Sequence, residues 1–180
     1  MNKFPQILAG LGLISLIIAC RLGPHPANFA PVSAAMIITG LYFTGRFRYL
    51  IPLTGLIISD LLLGFYAWQI MLIVYSSYGL IYLISYRVKP QINSWLTLAL
   101  SSSIIFFIVT NFSVWLFSSL YPPNWSGFWH CYLMAIPFFR WTLAGDLFYV
   151  LILAASFEFA RYYQPSSTKN QLLDKLPSQD

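Results

Sequence analysis

Six apolar runs, separated by short polar segments, dominate the sequence and restrict the folds open to it. They cover residues 4–20, 32–44, 49–64, 68–86, 95–120 and 128–163. A helix needs about 20 mostly apolar residues to cross the roughly 30 Å hydrocarbon core of a bilayer. The runs therefore predict an all-α fold, a polytopic transmembrane bundle of six helices within residues 1–163.

Charged residues are scarce, which agrees with a membrane location. They make up 8% of the chain, against roughly 25% in a typical soluble domain. The net charge is +5, but most basic residues lie at the ends of apolar runs, where cytoplasmic loops collect them. We therefore expect the lipid bilayer as a partner and no nucleic acid.

Two of the runs depart from a single straight span. Residues 32–44 are few, so this helix either begins earlier, near Asn28, or crosses the bilayer incompletely. Pro137 interrupts the last run, and we expect it to separate a short piece from a helix over residues 138–161. Residues 164–180 are polar and predict a disordered cytoplasmic tail.

The basic residues also predict the topology. Six spans place both termini on one side of the membrane, whereas Arg21 falls in an outer loop and Arg140 within the last run. Because cytoplasmic loops carry the excess of Lys and Arg, we expect an inner (cell) membrane protein with both termini cytoplasmic. The basic residues on the cytoplasmic side are then Lys3, Arg46, Arg48, Arg87, Lys89, Arg161, Lys169 and Lys175.

Residues 21–31 form a short polar segment between the first two runs. Prolines at positions 24, 26 and 31 fix their own φ and disfavour helix in the residues before them. Arg21 is the only basic residue expected in an outer loop, and His25 and Asn28 follow it. The pattern indicates either a ligand-facing cap formed by these three residues or an ordinary interhelical loop.

Polar residues inside the apolar runs need a physical reason, because a charge at a helix centre costs about 2.5–3.5 kcal/mol on insertion scales. Asp60 lies near the outer end of the third run and Asp146 within the last. Asn111 shares the predicted depth of Asp60. We expect these residues either to contact a ligand, whose anionic group Arg21 and Arg140 would attract, or to hold helices together by pairing with Arg140, Arg21 or a serine.

Tryptophan is concentrated toward the expected outer side of the bundle. Trp115 is one of five tryptophans there, and Trp95 alone falls on the inner side. Interfacial belts place Trp and Tyr at both membrane surfaces, so a belt explains part of the pattern. The outer surplus also suits an aromatic pocket for a small organic ligand, in which Trp115 would stack on the ligand.

No catalytic, metal or cofactor site is expected. Neither His25 nor His130 has a second potential ligand three or four residues away on a helix, and Ser126 near His130 lacks a nucleophile motif. The chain also lacks the glycine-rich motif of a phosphate-binding loop. Cys20 and Cys131 form no disulfide framework, although they could pair if both lie outward.

A set of motifs resembles an uncharacterised bacterial family of membrane proteins that is grouped with the substrate-binding (S) components of energy-coupling-factor (ECF) vitamin transporters. The resemblance covers almost the whole span from Arg21 to Arg161. The motifs are Arg21, Pro24-His25-Pro26-Ala27-Asn28-Phe29-Ala30-Pro31, Ser59-Asp60 with Gly64, Asn111-Phe112, and Asp146.

The resemblance implies a six-helix S-component-like bundle that captures a small vitamin-like ligand, or a metal ion, from outside the cell. The protein would then dock on a transmembrane coupling subunit driven by two ATPase subunits. Two alternatives remain open from the residues. One is a proton-coupled carrier that uses Asp60 and Asp146 as its relay, and the other is a membrane scaffold or assembly protein. None of the three is an enzyme.

Overall fold

The computed structural model describes residues 3–45 and 48–162, with side chains from Gln6 onward. This part of the chain folds into six α-helices and no strand, which confirms the predicted all-α class. The predicted tail over residues 164–180 lies outside the described residues. The helices are α1 (Lys3–Leu22), α2 (Val32–Tyr42), α3 (Leu50–Leu63), α4 (Trp68–Tyr86), α5 (Ile92–Phe117) and α6 (Trp125–Tyr162).

Helix α2 is the centre of the bundle. It contacts each of the other five helices, and every residue in it except Leu41 is buried. Its 11 residues reach only about 16 Å at 1.5 Å per residue. The helix begins at Val32 and not near Asn28, so the structure has the shorter of the two helices considered for this run.

Three helices are long and apolar enough to cross a membrane: α4, α5 and α6. The apolar parts of α1, α2 and α3 are shorter, at 10–17 residues each. Large hydrophobic side chains such as Leu8, Leu61 and Leu133 are more than half exposed on the outside of the bundle. These features are consistent with a membrane protein, while six complete spans remain a prediction.

Helix α6 runs without interruption through Pro137, so the predicted division of this run is wrong. An interior proline removes one backbone hydrogen bond, the one to the carbonyl four residues earlier, which here belongs to Leu133. The helix continues through the turns on either side, and the side chain of Pro137 is exposed. The 38 residues of α6 extend about 57 Å.

Small residues set the closest helix contacts. A Cβ atom at Gly40 of α2 would lie 2.8 Å from the Cβ of Ser85 on α4, which is closer than side chains pack. At Gly55 of α3, an added Cβ would meet the Ile17 side chain of α1 at 3.1 Å. These contacts join α2 to α4 and α3 to α1.

Candidate functional site

The segment between α1 and α2 is held against α6 by an aromatic cluster. Its Phe29 ring lies 5.4 Å from the ring of Tyr149 and 5.8 Å from that of Phe148. Gly145 gives Phe29 room, because a Cβ there would lie 3.2 Å from the Phe29 Cα. Asn28 has a left-handed φ of 67°, which asparagine tolerates better than most residues. The segment is therefore a non-helical turn of defined shape, as the prolines predicted.

Arg21, in the last turn of α1, is bound to the end of α3. Its Nη2 lies 2.6 Å from Oδ1 of Asp60, and its Nη1 donates a hydrogen bond of 3.0 Å to Oγ of Ser59. Asp60 is 1% exposed. Tyr75 of α4 donates a 2.7 Å hydrogen bond to the other carboxylate oxygen, Oδ2. This network joins three helices and neutralises the buried charge of Asp60.

A cavity of about 260 Å³ lies beside this network. Its wall brings together Arg21, His25 and Asn28, which the sequence analysis proposed as one group. His25 is exposed, and its Nδ1 lies 3.0 Å from the carbonyl oxygen of Gly23. Further polar and aromatic groups in the wall are Ser33, Tyr66, Tyr78, Phe106 and Thr142.

Tyr66 supplies a phenol at the mouth of this cavity, in the connection between α3 and α4. The residue is 40% exposed, but partial desolvation of its hydroxyl, followed by the nearby Asp60 carboxylate, raises the pKa of Tyr66 to about 12, while Arg21 acts in the opposite direction. The hydroxyl is therefore neutral at physiological pH and can donate a hydrogen bond into the cavity. The mouth thus combines the Arg21 guanidinium with a neutral donor.

A second cavity, of about 230 Å³, adjoins the first. Asn28, Val74, Phe106 and Thr142 line both. Asn111 lines the second cavity, and its side-chain amide donates a 2.8 Å hydrogen bond to the Phe107 carbonyl of its own helix. Asn111 is thus joined to the Arg21 group through a shared wall, whereas no described contact links the two directly.

Asp146 lies in a separate buried network between α5 and α6. It is 2% exposed. Its Oδ2 lies 3.0 Å from Oγ of Ser102 and 2.7 Å from Oγ of Ser103, both within hydrogen-bonding distance. The described residues contain two salt bridges, Arg21–Asp60 and Arg161–Glu158, so neither involves Asp146. Asp146 lines neither cavity, but Thr142, one helical turn earlier, lines both.

Two predicted site residues lie elsewhere. Trp115 donates a 3.2 Å hydrogen bond from Nε1 to the Pro122 carbonyl, and it lines a separate apolar groove of about 790 Å³ formed by α4, α5 and α6. Arg140 is exposed, and its guanidinium carbon lies 5.3 Å from the ring centre of Trp141. Arg140 therefore pairs with neither Asp60 nor Asp146.

Several residues at these sites were given no role from sequence, although Ser59 belongs to the Ser59-Asp60 motif. Tyr75 and Ser59 complete the Asp60 network, and no local pattern marks Tyr75, which is 15 positions from Asp60. Ser102 and Ser103 belong to a run of three serines in an apolar helix, which is a signal that a search for polar partners of Asp146 would find.

The two cysteines are free and have different neighbours. The Cys20 sulfur lies 3.5 Å from the Tyr149 hydroxyl, and the Cys131 sulfur lies 3.5 Å from the Asn111 carbonyl oxygen. The possible pairing of Cys20 with Cys131 is therefore not present in the structure.

Comparisons with known proteins were made over the whole chain. No curated protein and no solved structure matches it. A family model does match, and it covers residues 1–169, which is most of the sequence. The chain therefore belongs to the family of unknown function DUF6580.

Proposed function

We propose that this protein binds a small polar ligand in the two adjoining cavities and serves as the substrate-binding membrane subunit of a transporter. The observation that carries the proposal is the cavity shared by Arg21, His25 and Asn28 inside an otherwise apolar bundle. Small-molecule sites combine apolar walls with a few convergent polar groups in this way. A helix end that served only for packing has no need of a cavity lined by polar side chains.

The cavity sizes limit the ligand. Volumes of about 260 and 230 Å³ each lie slightly below the roughly 300–1,000 Å³ usual for small-molecule sites, so the ligand is small. A guanidinium has five N–H donors, and two nitrogens of Arg21 are engaged by Asp60 and Ser59. The remaining donors suit a carboxylate or carbonyl group of the ligand, while Phe106 and Tyr78 suit an apolar or aromatic body.

The direction of capture follows from the charge distribution in the sequence. With both termini cytoplasmic, the cavities open toward the outside, and Arg21 is the basic residue at their mouth. By its resemblance to S components, the protein would pass its ligand on by docking with a transmembrane coupling subunit and two ATPase subunits. Uptake that survives a protonophore but stops on depletion of ATP supports this arrangement over a proton-coupled carrier.

The test is mass spectrometry of small molecules released from the purified, detergent-solubilised protein. We expect a discrete compound in the wild type and a several-fold smaller amount in Asn28→Gly. Glycine keeps the positive φ of this position while removing the side-chain amide. Asn93→Ala is the matched control, because Asn93 is exposed in the first turn of α5, at the opposite end of the bundle.

Two results together would overturn the proposal. The first is the absence of any small molecule that depends on Asn28, and the second is the absence of a thermal shift across a panel of vitamins. That pair of results would favour a scaffold or assembly protein whose polar groups serve only to join helices.

A further inference from the structure

The oxygen atoms around Asp146 form more short contacts than the available hydroxyl hydrogens can turn into hydrogen bonds. Oγ of Ser102 lies 2.9 Å from the Ala99 carbonyl oxygen and 3.0 Å from Asp146 Oδ2. Oγ of Ser103 lies 3.0 Å from the same carbonyl and 2.7 Å from the same Oδ2. Each hydroxyl has one hydrogen. The two serine hydroxyls can therefore make at most two unshared hydrogen bonds among these four oxygen–oxygen contacts.

A proton on the carboxyl group resolves this shortage. If Asp146 Oδ2 carries a hydrogen and donates it to Ser102 Oγ, Ser102 is free to donate to Ala99. Ser103 then donates to Oδ2, its shorter contact. Three of the four contacts then become ordinary hydrogen bonds, and the Ala99 carbonyl oxygen accepts one of them. With an ionised carboxylate, only two of the four contacts can be hydrogen bonds unless a hydrogen is shared.

The charges around Asp146 lead to the same conclusion. Helix α5 contributes the Ser102 and Ser103 hydroxyls, which carry no charge that could neutralise the carboxylate. The titratable side chain that interacts electrostatically with Asp146 from α4 is the phenol of Tyr78. The guanidinium of Arg21 forms its ion pair with Asp60 and not with Asp146. An isolated buried carboxylate is costly enough that it takes up a proton instead.

The contacts of Asp146 favour a proton over a metal ion. Separations of 2.7 and 3.0 Å are within the range of O–H···O bonds, roughly 2.5–3.0 Å. Calcium and magnesium ions take about six or more oxygen ligands, whereas the described side-chain oxygens hydrogen-bonded to Asp146 Oδ2 are the two hydroxyls of Ser102 and Ser103.

We propose that Asp146, with Ser102 and Ser103, forms an internal proton-binding site. Thr142, one helical turn before Asp146, lines both cavities, so the site lies within a turn of them. The site is distinct from the Arg21–Asp60 network, whose carboxylate is neutralised by a guanidinium. It separates the two aspartates that sequence reasoning had placed in one relay, and it does not depend on the ligand proposed above.

Infrared spectroscopy tests the site directly. Protein is prepared with aspartate isotope-labelled at the side-chain carboxyl carbon, and the spectrum is recorded at neutral pH. We expect the carbonyl stretch of a protonated carboxylic acid, shifted by the label, in the wild type. Asp146→Asn should abolish this band, whereas Asp174→Asn, a change in the polar stretch over residues 164–180, should leave it unchanged.

A second variant keeps the test decisive if Asp146→Asn fails to fold. Ser102→Ala removes the proposed acceptor but keeps Ser103, so the band should persist and move to higher frequency as a hydrogen bond is lost. Absence of any labelled carboxylic acid band in the wild type overturns the proposal. So does a carboxylate band that shifts when sodium is replaced by choline, because that result identifies a metal cation as the occupant.

Discussion

Arg21 and Asp60, 39 positions apart in sequence, form an ion pair with 2.6 Å between Nη2 and Oδ1. The side chain of Asp60 is 2% exposed and that of Arg21 19%, so water screens the pair little. Tyr75 donates a hydrogen bond to Asp60, whereas Arg21 lines the cavity of about 260 Å³. The pair therefore has a structural role, between α1 and α3, at the place where we propose that ligand binds.

We expect Asp60→Asn to destabilise the folded protein by about 3–5 kcal/mol, because removal of one partner from a buried pair leaves the other charge uncompensated. The measurement is the unfolding midpoint in detergent. Glu158→Gln is the control, since its pair with Arg161 is far more exposed, at 48% for Arg161 and 36% for Glu158, and surface pairs contribute about 0–1 kcal/mol.

A double substitution separates stability from binding at the same pair. Arg21→Met combined with Asp60→Leu removes both charges, and apolar replacement of a buried pair is often neutral or stabilising. We expect this variant to melt close to the wild type but to retain little co-purified small molecule. Normal ligand retention in the double variant would mean that Arg21 serves packing alone.

The backbone at Asn28 gives a prediction that depends on φ. Asn28→Gly should change the free energy of unfolding by a few tenths of a kcal/mol, because glycine accepts a φ of 67° at little cost. Asn28→Val should destabilise by about 1–3 kcal/mol, since a β-branched residue is strained in this region. Chemical denaturation of the two variants checks this, and equal losses would contradict the left-handed assignment.

Local sequence patterns were enough to predict the helices, because each ends at a local signal. Helix α4 matches its predicted run, Trp68–Tyr86, since Pro90 and basic residues follow it. The division predicted at Pro137 was wrong. A proline lowers helix stability locally, but whether it breaks α6 depends on the neighbouring turns and on packing. That information is not local.

The site was predictable only in part, because local sequence does not show how distant helices pack. Arg21, His25 and Asn28 are close in sequence, so their common cavity could be foreseen from one turn. The pairing of Arg21 with Asp60, and the donor Tyr75, require knowing how α1, α3 and α4 pack. Trp115 was assigned to the ligand from its depth alone, and depth does not determine which face of α5 a side chain occupies.

The placement of Trp115 leads to a matched pair of substitutions. Phe106 lines both cavities, whereas Trp115 lines the separate apolar groove. We expect Phe106→Leu to reduce the co-purified small molecule several-fold and Trp115→Leu to leave it unchanged, although both remove an aromatic ring from α5. Quantitative mass spectrometry against protein amount is the measurement. Equal reduction in the two variants would mean that ligand binding involves the groove.

The contact between α2 and α4 allows a test of the fold itself. An alanine Cβ at Gly40 would lie 2.8 Å from Ser85 Cβ and 3.1 Å from the backbone nitrogen of Tyr86, and backbone cannot move aside cheaply. Overpacking of this kind costs about 1–3 kcal/mol, so Gly40→Ala should lower the unfolding midpoint.

Gly79→Ala is the control for this substitution. It lies in α4, and nothing surrounds an added Cβ within 4 Å. Because alanine favours helix over glycine by up to about 1 kcal/mol, this variant should be as stable as the wild type or more so. If Gly40→Ala proves as harmless as Gly79→Ala, then α2 does not pack against α4 as closely as described, and its place at the centre of the bundle is wrong.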